Sequence, residues 1–188
     1  MKPRERTDTC HFGVLMANGD AVACTQTINL RFGNGKVAKG TGVVLNDEMD
    51  DFSAKPGAPN AFGLVGDVAN AIAPHKRPLS SMTPTLVLRG SRAVGVFGSP
   101  GGSRIISTTL QSILNVIDGR MSVTKAIGSP RLHHQWYPDV IFFEAKRLSA
   151  NAQRRLKKLG HKISPAGAMG NAMGLWRTRS GRLKGAAD

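Results

Sequence analysis

The stretch TLVLRGSRAVGVFGSPGGSRIISTTLQSILNVI, residues 85–117, decides the fold class of this chain. Its first part, Thr85–Ser99, has two apolar, strand-like runs around a Gly-Ser turn, which predicts a β-hairpin. Its last part, Ser103–Ile117, has apolar residues at helical spacing. A glycine-rich turn joins the two parts. A hairpin that leads directly into a helix favours a mixed fold in which helices stack on antiparallel strands.

Upstream of this stretch, a second hairpin is predicted at the start of the chain. Two strand-like runs within Cys10–Leu30 flank Asn18-Gly19-Asp20, a strong turn signal. GVVLN at Gly42–Asn46 predicts a third strand. Residues 47–77 form an acidic and then Pro/Gly-rich segment, and loops of that length are usually lids or binding loops.

Downstream, short helices and strands alternate. The predicted elements are a helix at Ser122–Ile127, a strand at Val140–Glu144, a helix at Ser149–Leu159 ended by Gly160, and short strands around Met173–Trp176 and Arg182–Lys184. With 188 residues and 40% hydrophobic content, the chain is large enough for one domain with its own core. The predicted fold class is therefore α+β, with antiparallel sheets flanked by helices.

The formal net charge of +14 first suggests an anionic partner such as nucleic acid. Residues 76–188 carry the excess, with 19 Lys or Arg against four Asp or Glu. The densest cluster, Arg154, Arg155, Lys157 and Lys158, lies on a predicted helix, where a solvated face is the simpler interpretation. Aromatic residues are only 5%, too few for base-stacking platforms. We therefore expect no nucleic-acid partner.

The sequence also limits metal, redox and membrane functions. Cys10 and Cys24 match no metal or redox spacing. His133 and His134 have no third ligand at a useful spacing, so we interpret them as structural. No apolar run reaches the length of a membrane span, and residues 1–9 are charged with no apolar segment after them. We expect no membrane insertion by this chain and no export signal within it.

GSPGGSRI, Gly98–Ile105, places Pro100, Gly101 and Gly102 between a strand and a helix N-terminus. Free N–H groups there favour negative charge, so an anion or an oxyanion could bind at this turn. The Lys-Ser/Thr ending of a phosphate-binding loop is absent. A tight turn that needs glycine for positive φ remains the alternative.

Two polar clusters and one histidine are further candidates. LNDEMDDFS, Leu45–Ser53, holds four carboxylates that could bind a metal or an ammonium group, or form a solvated turn; it lacks the calcium-loop pattern. Ser80 and Ser81 lie in a Pro-bracketed turn, where they could bind a carboxylate or cap the turn. His11 points to the same side of its strand as Thr9, so it could orient Thr9 or simply be a half-buried histidine.

Five motifs, in this order and spacing, resemble the small subunit of gamma-glutamyltranspeptidases. They are DTCHF (Asp8–Phe12), TQTINL (Thr25–Leu30), LNDEMDDFSAKPG (Leu45–Gly57), KRPLSSMTPT (Lys76–Thr85) and GSPGGSRI (Gly98–Ile105). The resemblance covers nearly the whole chain, from Thr9 to Trp176. It implies the four-layer αββα fold of N-terminal-nucleophile hydrolases, made from a precursor that cuts itself into a large and a small subunit.

The resemblance also implies the catalytic residues. The precursor is cut between Asp8 and Thr9, and Thr9 becomes the nucleophile. Its freed α-amine, with a pKa near about 8, then takes the hydroxyl proton. Thr27 assists Thr9 by hydrogen bonding, and Gly101 and Gly102 donate backbone N–H groups to the oxyanion.

By the same resemblance, two groups of residues bind the glutamyl moiety. The α-amino group is held by Asn29, Glu48 and Asp51, and the α-carboxylate by Ser80 and Ser81. The implied substrates are glutathione or another gamma-glutamyl compound as donor and an amino acid, a peptide or water as acceptor. No cofactor and no metal is implied.

The resemblance divides the chain into residues 1–8, a remnant ahead of the cleavage site, and residues 9–188, a small-subunit-like domain truncated at its C-terminus. The large subunit, which supplies an arginine to the α-carboxylate, is an implied partner. Pro56–Gly66 matches a lid over the pocket. Cys10 stands where a Thr or Ser commonly follows the nucleophile, and Phe62 where some members carry a lid tyrosine.

Two alternative functions stay open at this point. One is an incomplete, inactive fragment whose basic second part binds anions, and the other is a related cephalosporin or glutaryl acylase. Asp51 suits an acyl group that bears an amine better than a glutaryl group. The chain does not show its own compartment, and the resemblance implies a periplasmic or extracellular one.

Overall fold

The structure, a computed structural model, describes residues 9–145 and 148–188; residues 1–8, predicted to precede the cleavage site, lie outside this part. The chain opens with the predicted hairpin, formed by β1 (Thr9–Leu15) and β2 (Ala21–Thr27). The strands are antiparallel, with Thr9 opposite Thr27. The turn has Gly19 at φ 105°, a value that glycine adopts without strain.

The stretch that decides the fold class folds as predicted. It forms β3 (Thr85–Arg89), β4 (Arg92–Gly98) and α1 (Arg104–Ile117). The strands β3 and β4 pair as an antiparallel hairpin. The glycine-rich turn therefore connects the end of β4 to the first turn of α1.

Seven further elements complete the described chain. They are α2 (Val123–Ile127), β5 (Leu132–His133), β6 (Ile141–Glu144), α3 (Ala150–Lys158), β7 (Ile163–Ala166), β8 (Met173–Arg177) and β9 (Leu183–Ala187). The sequence predicted five of them, and α3 ends before Gly160 as expected. It did not predict β5 and β7, because two residues and a Pro-containing ISPA run show no clear alternation.

One sequence prediction about strands is wrong. Residues 42–46 form no strand and contribute only the isolated bridge between Val37 and Val44, because Gly40 and Gly42 adopt positive φ and interrupt the extended backbone. The sheets are mainly antiparallel, as predicted, but in the sheet with order β5-β6-β7 the unpredicted strand β7 pairs parallel with β6. Helix α3 lies between them in the chain and provides the crossover that a parallel pair needs.

The long segment at residues 47–77 is irregular, as predicted. It contains two short 3₁₀ turns, Glu48–Asp51 and Val68–Asn70. Within residues 9–145 and 148–188, no helix combines the length and the apolar composition of a membrane span.

The core has two sides because β4 lies inside a four-stranded sheet with order β3-β4-β8-β9. Phe97 is fully buried against α1 and α2 in one apolar cluster, and the adjacent Val96 is buried in another cluster with Leu15 of the hairpin. Adjacent strand residues face opposite sides, so β4 joins both clusters. Burial of a side chain such as Phe97 or Val96 stabilises the fold by about 1.5–3 kcal/mol. In the described chain, the hairpin therefore packs on one face of the sheet and the helices α1 and α2 on the other.

Candidate active site

One pocket brings together seven of the nine predicted site residues. It lies where the start of the hairpin, the 3₁₀ turn at Glu48–Asp51, the segment before β3 and the turn before α1 meet. The predicted residues that line it are Thr9, Thr27, Asn29, Asp51, Ser80, Ser81 and Gly102. Glu48 and Gly101 are not among its lining residues, although each is close to one in the chain.

Thr9 and Thr27 form a hydroxyl pair at the open end of the hairpin. Their Oγ1 atoms are 2.9 Å apart, with Thr9 as the donor. The pair arises from the β1–β2 register, since directly opposed residues share a face. The backbone N–H of Asn29 also donates to Thr27 Oγ1, at 2.9 Å. Thr27 thus receives two donors and holds the Thr9 hydroxyl in a defined direction.

His11 lies on the same face as Thr9, as its position predicts, but its ring contacts other groups. Its Nδ1 is 2.8 Å from Thr25 Oγ1, and its ring packs against Gly98, where an added Cβ would lie only 2.2 Å away. The side chain is buried, and this burial lowers the pKa of His11. We interpret His11 as a neutral residue that packs the hairpin against β4.

Asn29 lines the pocket and has a left-handed backbone conformation, with φ 68°. Asparagine tolerates this region better than most residues. It is buried, and its side-chain Nδ2 donates to the Asp47 carbonyl at 3.3 Å. This bond ties the end of the hairpin to the acidic turn.

The four carboxylates of the acidic turn have different partners. Asp47 accepts a hydrogen bond from the Leu30 N–H at 2.9 Å, and Asp50 accepts one from the Ala61 N–H at 3.3 Å. Glu48 and Asp51 instead lie close enough to each other for a side-chain hydrogen bond, which raises the pKa of Glu48 and lowers that of Asp51. Two carboxyl groups can form such a bond only by sharing a proton.

Burial and the neighbouring carboxylates explain this protonation. Desolvation, followed by the charge of Asp51, raises the pKa of Glu48 to about 7. Desolvation also raises the pKa of Asp51, while the hydrogen bond from Glu48 opposes that shift. Within the described part of the chain, Glu48 Oε1 is buried with no hydrogen-bond partner. The pair is suited to a cationic group that would replace the shared proton.

The two serines, Ser80 and Ser81, also line the pocket. Ser80 Oγ accepts a hydrogen bond from the Met82 N–H at 3.2 Å, so it also caps its own turn. Ser81 is half-buried. Both interpretations of this turn, carboxylate binding and turn capping, are therefore compatible with its geometry.

The glycine turn before α1 has the backbone of an anion site. Gly101 and Gly102 have φ values of 141° and 55°, which favour glycine. Among residues 9–145 and 148–188, no acceptor receives a hydrogen bond from either N–H group. Gly102 also lies close to Phe62 of the predicted lid, since a Cβ added at Gly102 would be 2.8 Å from Phe62 Cδ1.

Sequence reasoning missed three residues of the pocket wall, namely Met82, Ser103 and Ile105. Ser103 has a visible signal, a hydroxyl directly after the glycine pair. Phe62 and Leu64 also line the pocket, and the sequence predicts them only as part of the lid at Pro56–Gly66. The apolar members had no signal, because a single apolar residue in a loop or on a helix face does not indicate a pocket.

Solved structures define the class of this fold. A threonine-to-alanine mutant of Helicobacter pylori gamma-glutamyltranspeptidase has a TM-score of 0.89 and 45% identity, over 95% of this chain and 97% of that chain. The transpeptidase CapD of Bacillus anthracis shares the fold alone, with a TM-score of 0.69 and 22% identity. The fold is that of the N-terminal-nucleophile hydrolases, as predicted.

Sequence comparison narrows the class to a family. The sequence profile of gamma-glutamyltranspeptidases matches residues 1–188, and the chain belongs to that family. The glutathione hydrolase proenzyme of Escherichia coli K12 is 47% identical over all 188 residues. The match spans 32% of that proenzyme and 28% of a Pseudomonas sp. A14 relative, so the chain spans about a third of the length of these curated relatives.

Proposed function

We propose that this chain is the small, catalytic part of an enzyme that transfers a gamma-glutamyl group from glutathione or a similar donor to an amino acid, a peptide or water. Residues 9–188 form the small-subunit-like domain, and residues 1–8 precede the bond that is cut. The observation that carries the proposal is the pocket itself. Its lining includes Thr9 and Thr27, whose hydroxyls are hydrogen-bonded to each other, together with Asp51 and Gly102.

The proposed chemistry begins at Thr9. After cleavage of the Asp8–Thr9 bond, the α-amine takes the proton of the Thr9 hydroxyl while the oxygen attacks the γ-carbonyl carbon of the donor. The oxyanion accepts hydrogen bonds from Gly101 and Gly102, and donors of this kind are typically worth about 3–4 kcal/mol each. The protonated amine then gives its proton to the leaving amine as the amide bond breaks. Thr9 is left as an ester.

The second half of the reaction reverses these roles. The amine of an acceptor, or a water molecule, loses a proton to the Thr9 α-amine and attacks the ester carbonyl. The tetrahedral intermediate uses the same two N–H donors. Its collapse returns the proton to Thr9 Oγ1 and releases the new amide or free glutamate.

Recognition of the donor follows from charge. Asn29, Glu48 and Asp51 would bind its α-ammonium group, because the carboxyl pair carries at least one negative charge. Ser80 and Ser81, which also line the pocket, would donate to its α-carboxylate, together with the arginine of a large subunit. This arrangement fits a gamma-glutamyl group better than a glutaryl group, which has no ammonium to bind.

A large subunit is the proposed protein partner, and the hairpin supplies a surface for it. The inner face of the hairpin packs on β4, whereas its outer face exposes apolar side chains. These are Phe12, Val14, Met16 and Val22, each 43–52% exposed. A contiguous apolar stripe of this kind usually marks an interaction surface.

The test uses a reconstituted proenzyme, in which a large-subunit segment precedes residues 1–188. We expect it to cleave at Asp8–Thr9 and to release the amine from a gamma-glutamyl anilide. A glutaryl anilide, which differs only in lacking the α-amino group, is the matched substrate. Activity on the glutaryl compound alone would instead assign the chain to the acylases, and a cleaved heterodimer inactive on both would support the inactive-fragment alternative.

A further inference from the structure

Ser99 is fully buried at the junction between β4 and the glycine turn. Its Oγ donates a hydrogen bond to the carbonyl of Pro100 at 2.5 Å and accepts one from the N–H of Asn171 at 3.0 Å. The hydroxyl proton is therefore directed at Pro100, since the Asn171 N–H occupies the acceptor side of the oxygen. Both hydrogen-bonding capacities of a buried hydroxyl are in use.

Peptide planarity links this bond to the turn. In a trans peptide the C=O and the N–H of the next residue point in opposite directions. Holding the Pro100 carbonyl therefore also sets the direction of the Gly101 N–H. The next peptide is held differently, because the Gly101 carbonyl accepts from the Arg104 N–H at 3.1 Å in the first turn of α1. That bond therefore sets the direction of the Gly102 N–H.

The Pro100–Gly101 peptide thus depends on a side chain, whereas the Gly101–Gly102 peptide is held by helix backbone. Gly101 has no Cβ, and glycine restricts the rotation of the preceding peptide less than any other residue does. Behind the turn, a Cβ on Gly101 would lie only 3.0 Å from Gly170 Cα. The segment that contains Gly170 and Asn171 therefore forms the back wall of the turn.

This back wall is itself anchored by charged, mostly buried groups. Arg131 Nη1 donates to the Met169 carbonyl at 2.8 Å, and Glu144 Oε1 accepts from the Met169 N–H at 2.9 Å. Asp188 Oδ2 accepts from the Ala172 N–H at 2.7 Å. Ser99 therefore connects the turn to a segment held on both sides of Asn171.

From this geometry we propose that Ser99 is a positioning residue for the oxyanion site. Its hydroxyl locks the Pro100–Gly101 peptide in the one orientation that presents the Gly101 N–H to the oxyanion. The inference rests on the proposed function, because it assigns a support to the donor that function requires. Ser99 does not contact the donor substrate and acts only through Gly101.

The test compares Ser99→Ala with Ser112→Ala. Ser112 is a matched control because it is 2% exposed and its Oγ also donates to a backbone carbonyl, that of Thr108, at 2.8 Å. Both variants are made in a small subunit that begins at Thr9 and is co-expressed with the large subunit, so that maturation is not needed. We expect Ser99→Ala to lower kcat for a gamma-glutamyl anilide on the order of 10- to 100-fold with KM within about twofold, because one donor is misoriented. Ser112→Ala should keep kcat within about twofold.

A second measurement separates positioning from general damage. A boronic acid analogue of the gamma-glutamyl group forms a tetrahedral adduct with the Thr9 hydroxyl, whereas an unreactive gamma-glutamyl compound reports ground-state binding. Ser99→Ala should weaken binding of the boronic acid and leave binding of the unreactive compound unchanged. If Ser99→Ala does not assemble, Ser99→Cys is the substitute variant, because its thiol keeps a weak donor. It should assemble, and its loss of kcat should be smaller than the roughly 10- to 100-fold loss expected for removal of the donor.

Three outcomes would overturn the inference. The first is a Ser99→Ala enzyme whose kcat matches that of Ser112→Ala. The second is equal weakening of the boronate and of the ground-state ligand. The third is a Ser99→Cys enzyme that assembles and loses kcat while it binds the boronate as tightly as the wild type. An inactive wild-type pair is a different result, because it removes the proposed function and this inference with it.

Discussion

The two walls of the pocket are built differently. The wall that holds Thr9 and the glycine turn belongs to the hairpin and to the junction of β4 with α1, and it is backed by the buried residues Val96 and Phe97. The wall that holds Asp51 and the lid lies in the irregular segment at residues 47–77, where short-range bonds to side chains replace sheet pairing. The residues proposed for the chemistry thus lie on regular structure, whereas most of those proposed for substrate recognition lie in loops.

This difference has a physical reason. A nucleophile and an oxyanion donor must keep their geometry within fractions of an ångström, which packed strands and helix ends provide. A substrate that enters and leaves needs groups at a surface, and loops carry such groups without disturbing a core. We therefore expect changes in the first wall to abolish turnover and changes in the second wall to alter affinity.

The largest expected effect is at Thr9. In the reconstituted proenzyme, Thr9→Ala should leave one uncleaved, inactive chain, because no hydroxyl can attack the Asp8 carbonyl. Thr9→Ser should cleave, since serine keeps the hydroxyl and frees an α-amine. Gel electrophoresis and mass spectrometry measure the cleavage. Full activity of a species that still carries residues 1–8 would contradict the N-terminal nucleophile.

On the second wall, Asp51→Ala should weaken substrate use without stopping maturation. Loss of a hydrogen bond to a charged group costs about 1.5–3 kcal/mol, so kcat/KM for a gamma-glutamyl anilide should fall by about tenfold or more. The glutaryl anilide should lose far less, because it has no ammonium group. Equal losses for the two substrates would show that Asp51 is not the ammonium partner.

The shared proton of Glu48 predicts a pH dependence. Because the pKa of Glu48 is raised to about 7, the carboxyl pair gains its second negative charge only as the pH rises through that value. A non-reacting gamma-glutamyl ligand should therefore bind more tightly above pH 7 than at pH 6. Calorimetry on separately expressed subunits that carry Thr9→Ala would measure this without turnover.

Glu48→Gln in the same background is the control for this prediction. It keeps a hydrogen-bond donor beside Asp51 but cannot ionise, so the change in affinity between pH 6 and 8 should shrink. The sign for stability is opposite. A carboxyl with a raised pKa favours the folded state at low pH, and this contribution is lost between the ordinary value of 4.5 and about 7. An unchanged pH profile in Glu48→Gln would assign the titration to another group.

The smallest effect on the kinetics is expected from a substitution in the predicted lid, Pro56–Gly66. Asn60 Oδ1 accepts hydrogen bonds from the N–H groups of Phe62 and Leu64, each at 3.0 Å. Asn60→Ala removes both bonds, each worth about 0.5–1.5 kcal/mol, from a surface turn. Steady-state kinetics should show KM for the donor raised by several-fold with kcat nearly unchanged. A loss of kcat as large as that of a first-wall variant would contradict the division between the two walls.

Much of this architecture could be predicted from local sequence. The Asn18-Gly19-Asp20 turn correctly predicted the first hairpin. The apolar spacing of Ser103–Ile117 predicted α1 with a start one residue from the observed one. The predicted strand at residues 42–46 was wrong, because Gly40 and Gly42 adopt positive φ, which the apolar pattern of the run does not indicate. The roles of the nine site residues came from resemblance, and they stay predictions, although the pocket gathers seven of them.

By itself, the sequence determined the order of elements, the two hairpins and the glycine turn, because these depend on residues within a few positions of each other. Tertiary packing, in contrast, brings β8 beside β4, Phe62 against Gly102, and the N–H of Asn171 to the Ser99 hydroxyl across 72 positions. Contacts of this range depend on how separate elements pack, and no local period or turn signal encodes them. The orientation of the Gly101 N–H belongs to this second class, because it is set by a bond that only the folded chain can form.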